Sequence, residues 1–355
     1  MAGLLSVDQV LPLALRAVRE TREAFGRENW RGLGTLLLKK KRDWHQAILL
    51  PIGLAQHLVL QDARLRARIN QQQLAPGDFE RLLQLNLMAC DLAAMLPWDL
   101  TKGAYLFDPD LFDSLITAPL ERLPAALLTR LPEYAPLLVF PRPWQGAVAA
   151  WVHLDVDTRF EDAHLEFRAL LLAESGRRLP LLLDLKKGTL EACIQATQEE
   201  ALLPQMLGIK AMSFPQEVFP IVRGLLNLAL YLASEEPDLS QRPRPLPKLE
   251  ARRKDFIPRV YPEASPQRIE VGWRLGAALR EARQAQSTAS GVGRSPQPHI
   301  RRGHWHLYWT GEGSRKDPSK AAPRVRWLEP TLVGAKRLEG ELPAVVRKVS
   351  AWKNR

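Results

Sequence analysis

Apolar residues recur at helical spacing from the start of the chain. Val7, Val10, Leu11, Ala14, Leu15 and Val18 fall on one stripe, and Ser6 with Gln9 three positions later forms a capping-box pair ahead of them. This pattern predicts a first helix over about residues 7–24. Pro12 offers a second start, because proline suits the first helical position and disrupts the interior. Gly26, Gly32 and Gly34 then interrupt the pattern, and the basic cluster Lys39, Lys40, Lys41 and Arg42 leads into Trp44 and His45. Further helices are predicted at about 52–73, at 78–96 after the Pro76-Gly77 turn, and at 109–130 with a break near Pro119.

Near Pro132 the period changes. In 149–157 the residues Val152, Leu154 and Val156 alternate with His153, Asp155 and Asp157, the pattern of a half-buried strand with one face in solvent. Segments 164–172 and 179–185 read as two more strands, joined through 158–163 and through Ser175-Gly176. Helices are expected at about 189–203 and 220–234. Residues 235–268 hold seven prolines mixed with Arg and Lys, so they read as an extended surface connection. A strand at 269–275, a helix at 277–284 and a low-complexity, flexible loop at 285–297 follow, and no internal repeat is evident.

The expected fold class is therefore α+β. A helical domain spans residues 1–135, and a basic α+β domain spans 136–355, with a small mixed or antiparallel sheet, helices and a C-terminal β-hairpin at 298–334. Charge sharpens this division. Residues 241–355 carry 25 Lys and Arg against 10 Asp and Glu, while residues 1–240 carry the other 25 against 29. A local excess of +15 attracts nucleic acid or an acidic partner surface; a solvated, solubilising tail is the plainer alternative. The two cysteines, Cys90 and Cys193, stand in apolar surroundings far apart, without disulfide or metal-ligand spacing, and read as buried thiols. An N-terminus without early positive charge, and no apolar run near about 18 residues, predict a cytoplasmic protein with no membrane partner.

The most distinctive segment is 298–311. Alternation places His304, His306 and Tyr308 on one face and Trp305, Leu307 and Trp309 on the other. A return segment, 324–332, alternates Val325 and Trp327 with Arg324 and Arg326. Together they read as a hairpin whose tryptophan face packs inward and whose His/Arg face lies outside. Imidazole, guanidinium and aromatic groups in one place suit contact with phosphates, bases or a peptide, so His299, Arg301, Arg302, His304, Trp305, His306, Tyr308, Trp309, Arg324, Arg326 and Trp327 form the candidate binding set. For Trp305 and Trp327 packing into the core is the plainer reading.

A second constellation is acidic. Asp155, Asp157, Glu166 and Asp184, with Asp184-Leu185-Lys186 ending the third strand, resemble the carboxylates by which some nucleases hold a divalent ion. The plain alternative is a polar face on a sheet. Neither a phosphate-binding glycine loop, a nucleotide fingerprint, a nucleophile elbow nor a zinc-protease helix occurs, so no cofactor, no catalytic residue set and no enzyme class is assigned.

The run Pro298-His299-x-Arg301-Arg302-Gly303-His304-Trp305-His306-x-x-Trp309-Thr310-Gly311, with 325–334 after it, resembles the C-terminal signature of a plasmid- and phage-borne family that includes a type V-A anti-CRISPR protein. The segments 226–234 and 271–280 are similar to two more blocks of that family, so the resemblance covers about residues 215–335. It implies a protein of the bacterial cytoplasm that binds the nascent N-terminal polypeptide of the type V CRISPR effector and promotes loss of its mRNA, with the message or the ribosome as further partners. The alternatives are a metal-dependent RNA nuclease using the acidic face and a plasmid-encoded nucleic-acid-binding protein.

Overall fold

A computed structural model describes residues 7–40, 46–61, 63–71, 73, 75–157, 164–206, 218–246, 265–277, 280, 299–301, 303–310, 322–328 and 331–333. The fold is α+β, built on one six-stranded mixed sheet covered on both faces.

Five helices come first: α1 (Val7–Phe25), α2 (Arg27–Lys40), α3 (Ile52–Val59), α4 (Ala63–Asn70) and α5 (Pro76–Thr101). The apolar stripe of α1 is the one read from spacing, and Val10, Leu11, Ala14 and Val18 are all buried. Pro12 lies inside this helix and does not start it. α2 runs through Gly32 and Gly34, against the expectation of an interruption there, because tertiary packing outweighs a cost of about 1 kcal/mol per glycine. Its Trp30 is buried and donates to Asp99 at 3.0 Å. The helix expected over 52–73 is divided into α3 and α4.

The first 135 residues are not wholly helical. After Lys102, which ends α5 in the left-handed region at φ 53°, the chain turns into strand β1 (Gly103–Phe107). This strand lies between β2 (Leu137–Trp144) and β6 (Gln267–Val271), parallel to both. It gave no alternating pattern because its residues are covered from both faces, as is usual for inner parallel strands. β2 tolerates Pro141 and Pro143 because its pairing with β3 (Ala147–Asp157) shifts register between Val139 and Trp144, where ladder bonds are not required. β4 (His164–Leu172) and β5 (Arg178–Asp184) continue antiparallel, giving the order β5-β4-β3-β2-β1-β6.

Helix α6 (Pro109–Ile116), capped by the Asp108 side chain, and a 3₁₀ turn (Ala125–Arg130) replace the helix expected over 109–130. α7 (Leu190–Met206) and α8 (Val218–Ala233) match the expected helices. β6 stops at Val271, and a helical turn at 273–277 takes up Leu275, so the strand expected to 275 ends early at Gly272, whose φ is 78°. The loop expected at 285–297 lies outside the described residues. Two small antiparallel ladders complete the chain: β7 (His299–Arg301) with β10 (Thr331–Val333), and β8 (His304–Thr310) with β9 (Ala322–Leu328).

The strands carry a core on each face. Trp151, Leu170 and Leu172 join Leu37, Leu92 and Trp98 under the N-terminal helices, with Trp98 edge-on to Trp151 at 5.9 Å. Val152, Leu154 and Phe167 join Phe112, Leu225, Leu228 and Trp327 on the opposite face. Alternation along β3 therefore separates two buried sides, and the face read as solvated is covered by helices. Both cysteines are buried and free. Among the described residues no helix is long and apolar enough to cross a membrane.

Candidate interaction surface and the Glu133 cleft

The hairpin forms with the register that alternation predicts. Trp305 stands opposite Trp327, His306 opposite Arg326, and Tyr308 opposite Arg324. On its inner face Val325 and Trp327 are buried, while Trp305 and Leu307 are half-buried against the same core. Trp305 and Trp327 meet edge to face at 4.8 Å. The Trp305 indole donates to Asn227 Oδ1 at 2.7 Å, and Asn227, fully buried in α8, donates in turn to the Ala118 carbonyl at 3.0 Å. Trp309 departs from the expected tryptophan face: it lies at the strand end opposite Pro323 and is 57% exposed.

The outer face is latched as well as solvated. His306 and Arg326 are exposed, and the His306 ring stacks on Tyr308 at 5.9 Å. The Tyr308 hydroxyl donates to Glu235, Arg324 pairs with Glu235 at 3.2 Å, and Arg326 pairs with Glu236 at 3.1 Å. The two glutamates follow α8, and the Glu235 amide donates to the Val325 carbonyl at 2.9 Å. His299 and Arg301 are placed by their backbone in β7, and Arg302 lies outside the described residues.

The same neutralisation recurs along the basic third. Arg268 pairs with Asp8 at 2.7 Å, Arg274 with Asp238 at 2.7 Å, and Arg280 with Asp108 and Asp110 at 2.8 and 3.1 Å. Acidic residues of the first two thirds thus face part of the C-terminal charge, an arrangement that net charge along the sequence does not show.

The acidic constellation lies inside the protein. Asp155 and Glu166 are 0% and 1% exposed, paired across β3 and β4, and Arg168 bonds to both, at 3.2 Å to Asp155. Asp155 also accepts the Ile52 amide at 2.9 Å, which ties the start of α3 to the sheet. Asp184 is partly exposed and pairs with His164 and Lys186, each at 3.0 Å, and Asp157 closes the ladder opposite His164. Among the described residues no group of three His, Cys, Asp or Glu side chains is placed to hold a metal ion. Burial pushes the Asp155 carboxyl up to about 6 despite Arg168.

Neighbouring His153 is buried with neither ring nitrogen hydrogen-bonded among the described residues, and desolvation, with Arg168 nearby, pushes its imidazole down to about 3. It therefore stays neutral in the folded protein where an unfolded chain, near 6.5, takes up a proton. Its contribution is fully present above about pH 6.5 and is lost as pH falls toward 3. Asp155 and Asp91, both raised to about 6, run the opposite way, so comparison with a variant isolates the histidine. Relative to the parent, His153→Phe should gain about 2 kcal/mol between pH 7.5 and pH 5, measured by urea unfolding at each pH. A constant difference would show that His153 does not carry this term.

A cleft that the sequence did not reveal opens at the edge where β1 begins and β3 ends. Its volume is about 840 Å3, and its walls include Ala47, Leu128, Leu131, Pro132, Leu154 and Leu246. At its floor Glu133 is 7% exposed and accepts from the Thr101 hydroxyl and from the Tyr105 phenol at 2.8 Å. The Gly103 amide also bonds it, and burial raises its carboxyl above the ordinary range. A Cβ on Gly103 would lie 1.9 Å from Glu133 Oε1, so only glycine lets the carboxylate sit there. Arg244 stands in the same wall and is tied to the Ser265 carbonyl at 2.8 Å. Glu133 lies among Pro132, Pro136 and Tyr134, and its donors stand about thirty residues earlier, so no local spacing marks the site.

These features define an α+β protein with a two-faced sheet, a latched Trp/His hairpin and a solvent-connected cleft over a buried carboxylate. The model of the AcrVA2-like proteins, the anti-CRISPR type V subtype A2 family, matches residues 105–335. The chain belongs to this family and is an anti-CRISPR protein of type V-A. Among solved structures, the crystal structure of AcrVA2 has the same fold: the TM-score is 0.63 at 18% identity, over 90% of this chain and 99% of that one. No curated protein matches.

Proposed function

We propose that the protein suppresses a type V CRISPR effector by binding its nascent N-terminal polypeptide and promoting loss of the mRNA being translated. Family membership supplies the target system. The observation that carries the peptide reading is the cleft: its volume of about 840 Å3 lies within the range of ligand pockets, and walls that mix apolar side chains with polar and charged groups suit the side chains and the amide groups of an extended segment. The basic hairpin supports proximity to message or ribosome, because it exposes Arg326 and His306 on one face and Trp309 at the strand end, groups suited to charge contact and to stacking. The buried, Arg168-paired carboxylates do not favour the nuclease alternative.

The test separates peptide from nucleotide recognition. A reporter carries the effector's first codons in three forms: native, recoded synonymously, and frameshifted. Repression of the first two and not the third supports the proposal. Equal repression of the frameshifted form, or its loss on synonymous recoding, overturns it in favour of a nucleic-acid reader.

Variants of the hairpin then locate the RNA contact. His304→Ala and Arg326→Ala should leave the melting temperature nearly unchanged, since the Arg326–Glu236 pair is exposed on both sides. Both should weaken binding to ribosome–nascent-chain complexes, and the Arg326 effect should shrink as salt rises. Parent-like binding by both variants would make the outer face scaffold.

A further inference from the structure

The Glu133 carboxylate is unusual in its surroundings. Its hydrogen-bond donors are neutral, Thr101, Tyr105 and the Gly103 amide, and Arg244, whose charge acts on it from the cleft wall, is bonded to the Ser265 carbonyl. A buried carboxylate held directly by neutral donors alone is costly, yet this one is held in a fixed orientation and adjoins a cleft open to solvent. The close approach of Gly103 shows that the backbone is shaped around it. A single carboxylate is a poor cage for a divalent ion, which takes six or more oxygens or several anionic ligands. One ammonium or guanidinium group, by contrast, needs one carboxylate and apolar walls for its stem.

We infer that the cleft over Glu133 recognises a cationic nitrogen of a peptide, either a Lys or Arg side chain or a free amino terminus, seated against the Glu133 carboxylate. This rests on the peptide-binding reading above and adds the chemistry of the recognised group. Arg244, on the same wall and bonded to the Ser265 carbonyl, puts a positive group in the cleft beside the carboxylate, so the cleft carries both signs of charge. Leu128, Leu131, Pro132 and Leu246 cover the aliphatic part of the ligand.

Four tripeptides titrated into the full-length protein by calorimetry test this and separate the two sources of positive charge. They are Ala-Lys-Ala amide and Ala-norleucine-Ala amide, each with a free and with an acetylated amino terminus. At least one singly cationic peptide should bind, and the acetylated norleucine peptide should bind more than about tenfold more weakly. Which singly cationic peptide binds identifies the source. Glu133→Gln removes the charge while keeping one acceptor oxygen, for either Thr101 or Tyr105, and should abolish the preference. Thr129→Lys, which brings a resident ammonium from the cleft wall without altering Glu133, should do the same and serves if the first variant fails to fold. Absence of binding by every cationic peptide, equal binding of the neutral one, or an unchanged preference in the folded variants overturns the inference. Repression of the effector reporter at parental strength by both variants also overturns it while leaving the proposed function standing. A cation preference without repression removes the function and leaves the site.

Discussion

Replacing Arg168 by methionine should destabilise the protein by about 3–5 kcal/mol, because it leaves two buried carboxylates without their shared counter-charge. Arg168 is the cation that Asp155 and Glu166 share between β3 and β4, and both carboxylates are almost wholly out of water. The loss should be largest near neutral pH. Asp155 is already raised to about 6 by burial, and the Arg168 charge is what opposes that rise. Without it the folded-state value climbs further above the unfolded one, so the variant's deficit should narrow as pH falls and the carboxyl takes up a proton. Adding Asp155→Asn and Glu166→Gln to Arg168→Met should recover much of the loss, since no buried charge then remains. Urea unfolding of the single and triple variants at pH 7.5 and 5 measures both effects. A single variant within about 1 kcal/mol of the parent would show that the triad is hydrated and not buried.

Trp327→Ala should cost a similar amount, about 3–5 kcal/mol, for a different reason. Trp327 is 6% exposed, meets Trp305 edge to face and completes the core shared with Val152, Leu154 and Leu225. Removing the indole withdraws a large apolar area and leaves a cavity that a sheet packed on both faces closes only in part. Trp327→Phe should cost much less, because the indole nitrogen has no hydrogen-bond partner among the described residues. Calorimetric melting of the two variants measures this. An alanine variant that melts with the parent would place the hairpin outside the cooperative unit, and the inner face would then be free for a ligand.

Local pattern made the amphipathic helices and the antiparallel strands legible. The stripe on α1, the apolar run of α8, the alternation along β3 and β4 and the pairing of Trp305 with Trp327 all follow from periods of 3.6 and 2 residues. The blocks at 298–311 and 325–334 likewise pointed to the family, whose match extends over residues 105–335. β1 escaped because a strand buried on both faces shows no alternation, and β2 escaped because its prolines sit beyond its paired half.

What only the tertiary structure decided is which groups are dry and which are paired. Sequence alternation marks two sides of a strand but not what covers each, so His153, Asp155 and Glu166 read as a solvated acidic face until the N-terminal helices were laid over that side of the sheet. In the same way the C-terminal charge is part-answered by Asp8, Asp108, Asp238 and Glu235, which arrive from distant segments. The Glu133 cleft is assembled from the segment before α3, the end of α5, the segment before β2, β3 and the Arg244 region, pieces separated by up to about 200 residues. Secondary-structure period is a property of neighbours in sequence, whereas desolvation and ion pairing depend on neighbours in space, and those exist only once the chain has folded.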